Sequence, residues 1–337
     1  MKAIGYKQAG ALDRSDSLVD IELEVPSPAG RDILVKVEAV SANPVDTKIR
    51  HSMSAPEGGW RVLGWDVAGK VEAVGDGVRD FKVGDDVFYA GSLTRQGANL
   101  EYHLVDERIV GRKPRTASSA EAAALPLTAI TAWEMMFDRL DVRRPVPGAA
   151  NAILVIGGAG GVGSITIQLA RALTDLTVIA TASRPETREW VKELGAHHVI
   201  DHRKPLAEQV KALGIGAPAF VFSTNETKSQ IPEIAELIAP QGRVGVIDDP
   251  DTLDIMVFKR KSVSVHLEFM FTRPMYGTVD MGEQGKLLTE VADLIDTGKI
   301  KTTVTEVLQP INAENLKKAH AKLESGKAKG KIVLEGF

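Results

Sequence analysis

The chain contains no cysteine in its 337 residues. That excludes disulfides, a thiolate nucleophile and any zinc site built on cysteine. No apolar run reaches membrane-spanning length. The start, Met1-Lys2-Ala3-Ile4-Gly5-Tyr6, is strand-like and has no apolar signal core, so a cytoplasmic protein is the expectation. A basic excess is also missing. Lys and Arg total 41 against 45 Asp and Glu, a net charge of −4, which is not the footprint of a nucleic-acid binder. There is no low-complexity segment and no repeat of fixed period. What remains is an ordinary globular composition, 44% apolar and 26% charged, in a chain long enough for two domains with sizeable cores.

The most informative stretch that is present runs from Asn151 to Leu173. Ala152–Ile156 (AILVI) is wholly apolar and short, as in a buried parallel strand. It runs into Gly157-Gly158-Ala159-Gly160-Gly161-Val162-Gly163, in which Gly158, Gly160 and Gly163 fit G-x-G-x-x-G. Apolar residues then recur at helical spacing to Leu173. Strand, glycine turn and helix together form the context in which this motif binds a dinucleotide. Glycine admits the pyrophosphate close to the backbone, and the helix start offers free N–H groups. Cofactor contacts are therefore expected from Gly158, Ala159, Gly160, Gly161, Val162 and Gly163.

The rest of the chain sorts into two styles. Residues 1–126 read as short strands with turns every ten or so residues, which suggests a compact, barrel-like antiparallel domain. Composition shifts at Ser118, and helical spacing resumes over Ile130–Leu140. From Asn151 strands and helices alternate, implying a doubly wound parallel sheet. Ser262–Phe271 (SVSVHLEFMF) reads as a long strand at one edge of that sheet. Left uncovered, such an edge invites association, and pairing with a two-fold mate would hide it, so a homodimer is expected.

The end of the second strand of the βα region bears on the cofactor. An NAD enzyme of this architecture carries an acid there for the ribose 2′-OH. This chain has Thr181-Ala182-Ser183-Arg184, with no acid before Glu186. A carboxylate would repel a 2′-phosphate, whereas Arg184 can pair with it or stack on adenine. Ser183 and Arg184 are thus candidate NADP(H) contacts, the alternative being a helix cap and a solvated arginine.

Four stretches carry a resemblance: Ser41–Arg50 (SANPVDTKIR), Leu63–Gly69 (LGWDVAG), Ala124–Ala132 (ALPLTAITA) and Gly157–Gly163. Together they resemble the medium-chain dehydrogenase/reductases, closest to the quinone-oxidoreductase branch and its zinc-type alcohol dehydrogenase-like group. The resemblance spans nearly the whole chain. It implies an α/β protein with a GroES-like β-rich catalytic domain (residues 1–126 and 275–337) and an inserted Rossmann NADP(H)-binding domain (127–274). Where zinc-dependent members carry ligands, this chain has Asn43, Trp65 and Leu127, which cannot make a zinc site of usual chemistry. No metal is expected.

The resemblance also implies roles. Asn43 lies in the turn that meets substrate in quinone reductases, its other role being an Asx turn before Pro44. Thr128 falls where relatives contact the nicotinamide. Asn43 and Thr128 are therefore the catalytic candidates, as donors to a developing oxyanion. Trp65, Tyr89 and Phe269 are candidates for the substrate pocket, Trp65 serving equally well as core. His202 follows the third strand and is a further cofactor candidate, with Arg203 beside it. Phe271 is placed near the nicotinamide, and Lys331 near the pyrophosphate. No residue stands out as the general acid, though Tyr89 and His51 carry suitable protons. The expected function is NADPH-dependent hydride transfer to a small molecule, a quinone or another conjugated carbonyl. The rivals are a zinc alcohol dehydrogenase and a non-catalytic NADPH-binding protein of the sensor or crystallin type.

Overall fold

A computed structural model describes residues 1–337. The chain divides into two compact units, one formed by 1–130 with 271–337 and the other by 131–270. The seams expected from sequence, 126/127 and 274/275, lie four residues from these on each side.

The first unit is β-rich. Its larger sheet has seven strands built around Asp32–Ser41, a ten-residue strand that pairs antiparallel with Val67–Val74, Tyr102–Asp106 and Lys331–Glu335. A smaller three-stranded sheet is centred on Lys2–Tyr6. The alternation in Asp32–Ser41 explains its position, because Ile33, Val35, Val37 and Ala39 are buried on one face. The C-terminal strand Lys331–Glu335 is buried over its first four residues. It pairs with the end of Asp32–Ser41 and lies between that strand and Val304–Leu308.

The second unit is a six-stranded, wholly parallel sheet. Its spatial order is His198–Ile200, Thr177–Thr181, Ala150–Ile156, Pro218–Ser223, Arg243–Val246 and Ser264–Leu267. The chain works outward from Ala150–Ile156 on one side, then crosses and works outward on the other. That reversal defines a switch point at the carboxyl ends of Ala150–Ile156 and Pro218–Ser223, the place where ligands bind in open α/β sheets. Leu154, Ile179, Val221 and Val244, one from each of four strands, form the centre of the core.

Two elements differ from expectation. Ser262–Phe271 is not one long strand. Ile255–Lys261 forms a 3₁₀ turn, Ser262 takes a left-handed conformation, and only Ser264–Leu267 pairs, at the sheet edge. The strand is short because Arg243–Val246, its only neighbour, offers just four residues of register. The helix expected over Ile130–Leu140 is also not uniform. The α-helix Pro126–Trp133 opens into a π-helical turn over Glu134–Arg139, with Leu140 N–H reaching Met135 O at 2.8 Å. No helix is long and apolar enough to cross a membrane.

Candidate functional site: an open glycine turn and a closed polar cluster

At the switch point the turn Gly157–Gly163 is held through its backbone N–H groups. Gly157 N–H donates to Thr181 Oγ1 (3.0 Å) and Gly158 N–H to Thr181 O (3.2 Å). Gly160 N–H donates to Gly157 O (3.1 Å) and caps the helix Gly161–Leu173. The first N–H groups of that helix have no intrahelical acceptor and carry its partial positive charge.

The three motif glycines have different jobs. A side chain at Gly163 would place Cβ 2.3 Å from Gly157 O, and one at Gly158 would come within 2.9 Å of Ala180 Cβ. Both are required by the fold itself. At Gly160, with φ −72°, the nearest atom would be Gly157 O at 3.5 Å. Nothing in the protein demands a glycine there, so the empty space over it suits a closely approaching ligand. This cradle fits a dinucleotide pyrophosphate.

Sequence reasoning missed the other wall of the turn. Gly157 has φ +80°, and a Cβ there would meet Asn225 Oδ1 and Thr224 Oγ1, each at 2.3 Å. Thr224 Oγ1 donates to Ile156 O (2.9 Å). Thr224 and Asn225 follow a strand that comes 62 residues after Ile156 in the chain, and no local motif marks them.

The ends of Thr177–Thr181 and His198–Ile200 carry two arginines, each paired with an acid. Arg184 caps the helix Pro185–Glu193 and pairs with exposed Glu186 at 3.0 Å. Arg203 Nη2 donates to Ser183 O (2.9 Å) and its fork grips Asp201, whose carboxyl it holds down at about 2. His202 is half-buried. Burial lowers its pKa, Asp201 opposes that, and Arg203 and Arg184 add to the lowering. Ser183, Arg184, His202 and Arg203 are thus gathered at these strand ends, and the two acids beside them, Glu186 and Asp201, are each paired with an arginine.

In the first unit Asn43 was expected to offer a donor to substrate. It does not. Its Nδ2 group gives one bond to Asp66 Oδ2 (2.8 Å) and one to Ser41 O (3.2 Å), and the side chain is buried. Both N–H bonds are committed, so no donor is left. Its Oδ1 accepts from Lys331.

Lys331 is likewise not a solvent-side cation awaiting phosphate. Its ammonium is buried and donates to Asn43, to Ala42 O (3.0 Å) and to Asp66 Oδ2 (2.9 Å), which uses all three protons. Asp66 also accepts from Leu127 N–H (2.7 Å). Burial pushes its carboxyl up, and Lys331, Asn43 and Leu127 pull it back. Asp46 completes the cluster. It accepts from Asn43 N–H (2.7 Å) and Gly64 N–H (2.9 Å), and burial lifts it to about 7 against those bonds.

Tyr89 also departs from expectation. It is fully buried, and burial pushes its phenol well above the usual range. His103 Nε2 must donate to Gln96 O (2.9 Å), which leaves Nδ1 to accept from Tyr89 OH (3.0 Å). Neither proton is available to a substrate. His51 lies on the helix Pro44–Ser52 and faces Glu324 at 3.1 Å.

Trp65 is buried, its Nε1 on Ser92 O (3.2 Å), with Phe271 edge-on at 6.3 Å between ring centroids. Thr128 is buried and donates to Leu125 O (3.1 Å), so its hydroxyl lone pairs are its remaining capacity. Phe269 belongs to the second unit and is 49% exposed.

A resident zinc does not fit these residues. The cluster at Asn43 and Asp66 already holds an ammonium, and a second cation would meet it at contact distance. No group of three His, Cys, Asp or Glu side chains elsewhere has metal-site geometry.

The chain matches two family models, an alcohol dehydrogenase GroES-like domain over residues 29–131 and a zinc-binding dehydrogenase domain over 194–334. It is 41% identical, over 99% of both chains, to a zinc-type alcohol dehydrogenase-like protein of Staphylococcus aureus (strain MSSA476). Among solved structures, one from Rhizobium etli CFN 42, named for a zinc-dependent alcohol dehydrogenase, superposes with a TM-score of 0.99 at 66% identity. That match covers 100% of this chain and 98% of the other. Escherichia coli quinone oxidoreductase complexed with NADPH superposes at 0.82 with 25% identity, over 99% and 100% of the two chains. The β-rich unit, the parallel-sheet unit and these likenesses agree, and the chain belongs to the medium-chain dehydrogenase/reductase superfamily of oxidoreductases.

Proposed function

We propose that this oxidoreductase is a zinc-independent, NADPH-dependent reductase of quinones or other conjugated carbonyl compounds. The observation that carries the reading is the pairing of an open glycine cradle with a strand end, Ser183, Arg184, His202 and Arg203, that holds two arginines and no unpaired acid. A 2′-phosphate is favoured there and a bare ribose gains nothing. The E. coli quinone oxidoreductase, which binds NADPH, supports the same choice.

A nicotinamide cofactor, when bound, supplies the hydride. The chain's part is to hold the pyrophosphate on the N–H groups of Gly161–Gly163 and to orient the ring. We assign Thr128 and Phe271 to the cofactor, and Trp65 and Phe269 to the substrate. Asn43 and Lys331 act at one remove. Through Asp66 they hold Leu127 N–H, and so the start of the helix that carries Thr128. Because the cluster offers an ammonium already spent on three acceptors, it cannot polarise a simple ketone strongly. An electron-poor acceptor, which spreads the arriving negative charge over its own conjugated system, needs less help.

We place a second copy of the chain at the edge strand Ser264–Leu267, where Leu267 and Phe269 are exposed together with Ile255, Met256 and Val257. Sedimentation should give a dimer, and a 36 kDa monomer at micromolar concentration would contradict this. The function is tested by following NADPH oxidation against a panel of quinones, enones and simple ketones, with NADH in parallel. Oxidation of NADPH by quinones or enones is expected. Tight NADPH binding with no acceptor at all would instead favour a non-catalytic NADPH-binding protein.

A further inference from the structure

The loop that joins the strand Pro218–Ser223 to the helix Thr227–Leu237 is held more firmly than a connection needs to be. Thr224 gives both its N–H (3.2 Å) and its hydroxyl (2.9 Å) to Ile156 O, at the end of the neighbouring strand. Thr227 gives its N–H (2.9 Å) and its hydroxyl to the Asp248 carboxylate, just past the strand Arg243–Val246. That hydroxyl has spent its proton, so it accepts from Ser223 Oγ (2.7 Å). Three strand ends thus fix one short loop. Its last residue, Glu226, is left-handed at φ +54° without being glycine, a conformation kept only where the surroundings determine it.

Between these anchors stands Asn225, and it is exposed. Its carboxamide oxygen lies where a Cβ on Gly157 would stand. Its Nδ2 donates to nothing in the protein. A firmly supported, exposed amide with an unused donor beside the glycine turn is suited to a ligand.

Strand order says which part of the ligand. Thr177–Thr181 and Pro218–Ser223 flank Ala150–Ile156 on opposite sides. A dinucleotide with its 2′-phosphate at Ser183 and Arg184 and its pyrophosphate on the turn continues toward Pro218–Ser223. The group that reaches Asn225 is then the ribose beyond the pyrophosphate. A ribose hydroxyl both donates and accepts, and a carboxamide does the same. A phosphate only accepts, and the N–H groups of Gly161–Gly163 serve it.

We propose that Asn225 binds a hydroxyl of the cofactor's nicotinamide-side ribose through its carboxamide, and that the bonds of Thr224 and Thr227 hold it in place to do so. This role rests on the NADPH reading above and adds to it the residue that grips the reacting half of the cofactor.

Calorimetric titration of the full chain, Asn225→Ala and Asn225→Asp with NADPH and with 2′,5′-ADP tests it. 2′,5′-ADP carries adenine and the 2′-phosphate but no nicotinamide-side ribose. Asn225→Ala should weaken NADPH about fivefold, the worth of one hydrogen bond, and leave 2′,5′-ADP unchanged. Asn225→Asp keeps the shape, loses the donor and brings a negative charge toward the phosphates, so its NADPH loss should be larger. Because Asn225 is exposed, melting temperatures without ligand should match the wild type. Unchanged NADPH affinity in Asn225→Ala, or equal losses for both ligands, would overturn the role. Failure of the wild type to bind NADPH at all would overturn the cofactor reading, and this role with it.

Discussion

The glycine turn Gly157–Gly163 and the Lys331 cluster are both built from polar groups packed among apolar strands, and they are opposites. The turn is local. Its N–H groups come from consecutive residues and end in open donors. The cluster is assembled from Asn43, Asp46, Asp66 and Lys331, the lysine lying 265 to 289 residues from its partners, and it ends with its donors used. An open set of donors is a place for a ligand, whereas a closed set holds the fold in position. Proximity of polar side chains does not separate these cases, but a count of protons and lone pairs does.

Breaking the cluster should have the largest effect on stability. Lys331→Met leaves the buried Asp66 carboxylate without its counter-ion, and denaturant unfolding should show a loss of about 3–5 kcal/mol. In the turn, Gly163→Ala drives Cβ against backbone that cannot move aside. It should cost about 1–3 kcal/mol and abolish NADPH binding by titration. Arg184→Ala should weaken NADPH by about 1–3 kcal/mol while NADH affinity hardly changes. Equal losses for both cofactors would remove the arginine from the 2′-phosphate. Gly160→Ala sharpens the comparison most, with the smallest effect on stability. The protein has room for the methyl group, so apo stability should fall by no more than about 1 kcal/mol, the cost of a poorer cap. NADPH binding should nonetheless drop at least about tenfold, because the methyl fills the ligand's side of the turn.

The same contrast decides what could be read from sequence. Ala152–Leu173 announced its strand, turn and helix because the signals are contiguous, and the β-rich and βα styles separated the two parts of the chain. Asn43 and Lys331 were recognisable as unusual, but their assigned work was not. Lys331 reads as a cation for the pyrophosphate until the strand Lys331–Glu335 is paired beside Ser41. Tyr89 read as a substrate-pocket residue with a proton to offer until His103, 14 residues on, proved to accept its hydrogen. The long strand expected over Ser262–Phe271 failed because its apolar residues serve an edge and a turn, and apolarity alone does not measure register. Thr224 and Asn225 had no local signal, since their importance comes only from the strand order.

The proposed zinc-independent chemistry rests on the buried ammonium at Asn43 and Asp66, which stands in the way of a metal. The direct test is elemental analysis of the purified protein, combined with NADPH-dependent reduction of an active quinone or enone before and after exhaustive chelation. No stoichiometric zinc and unchanged activity are expected. One tightly held zinc per chain, removed together with the activity, would contradict zinc-independent chemistry.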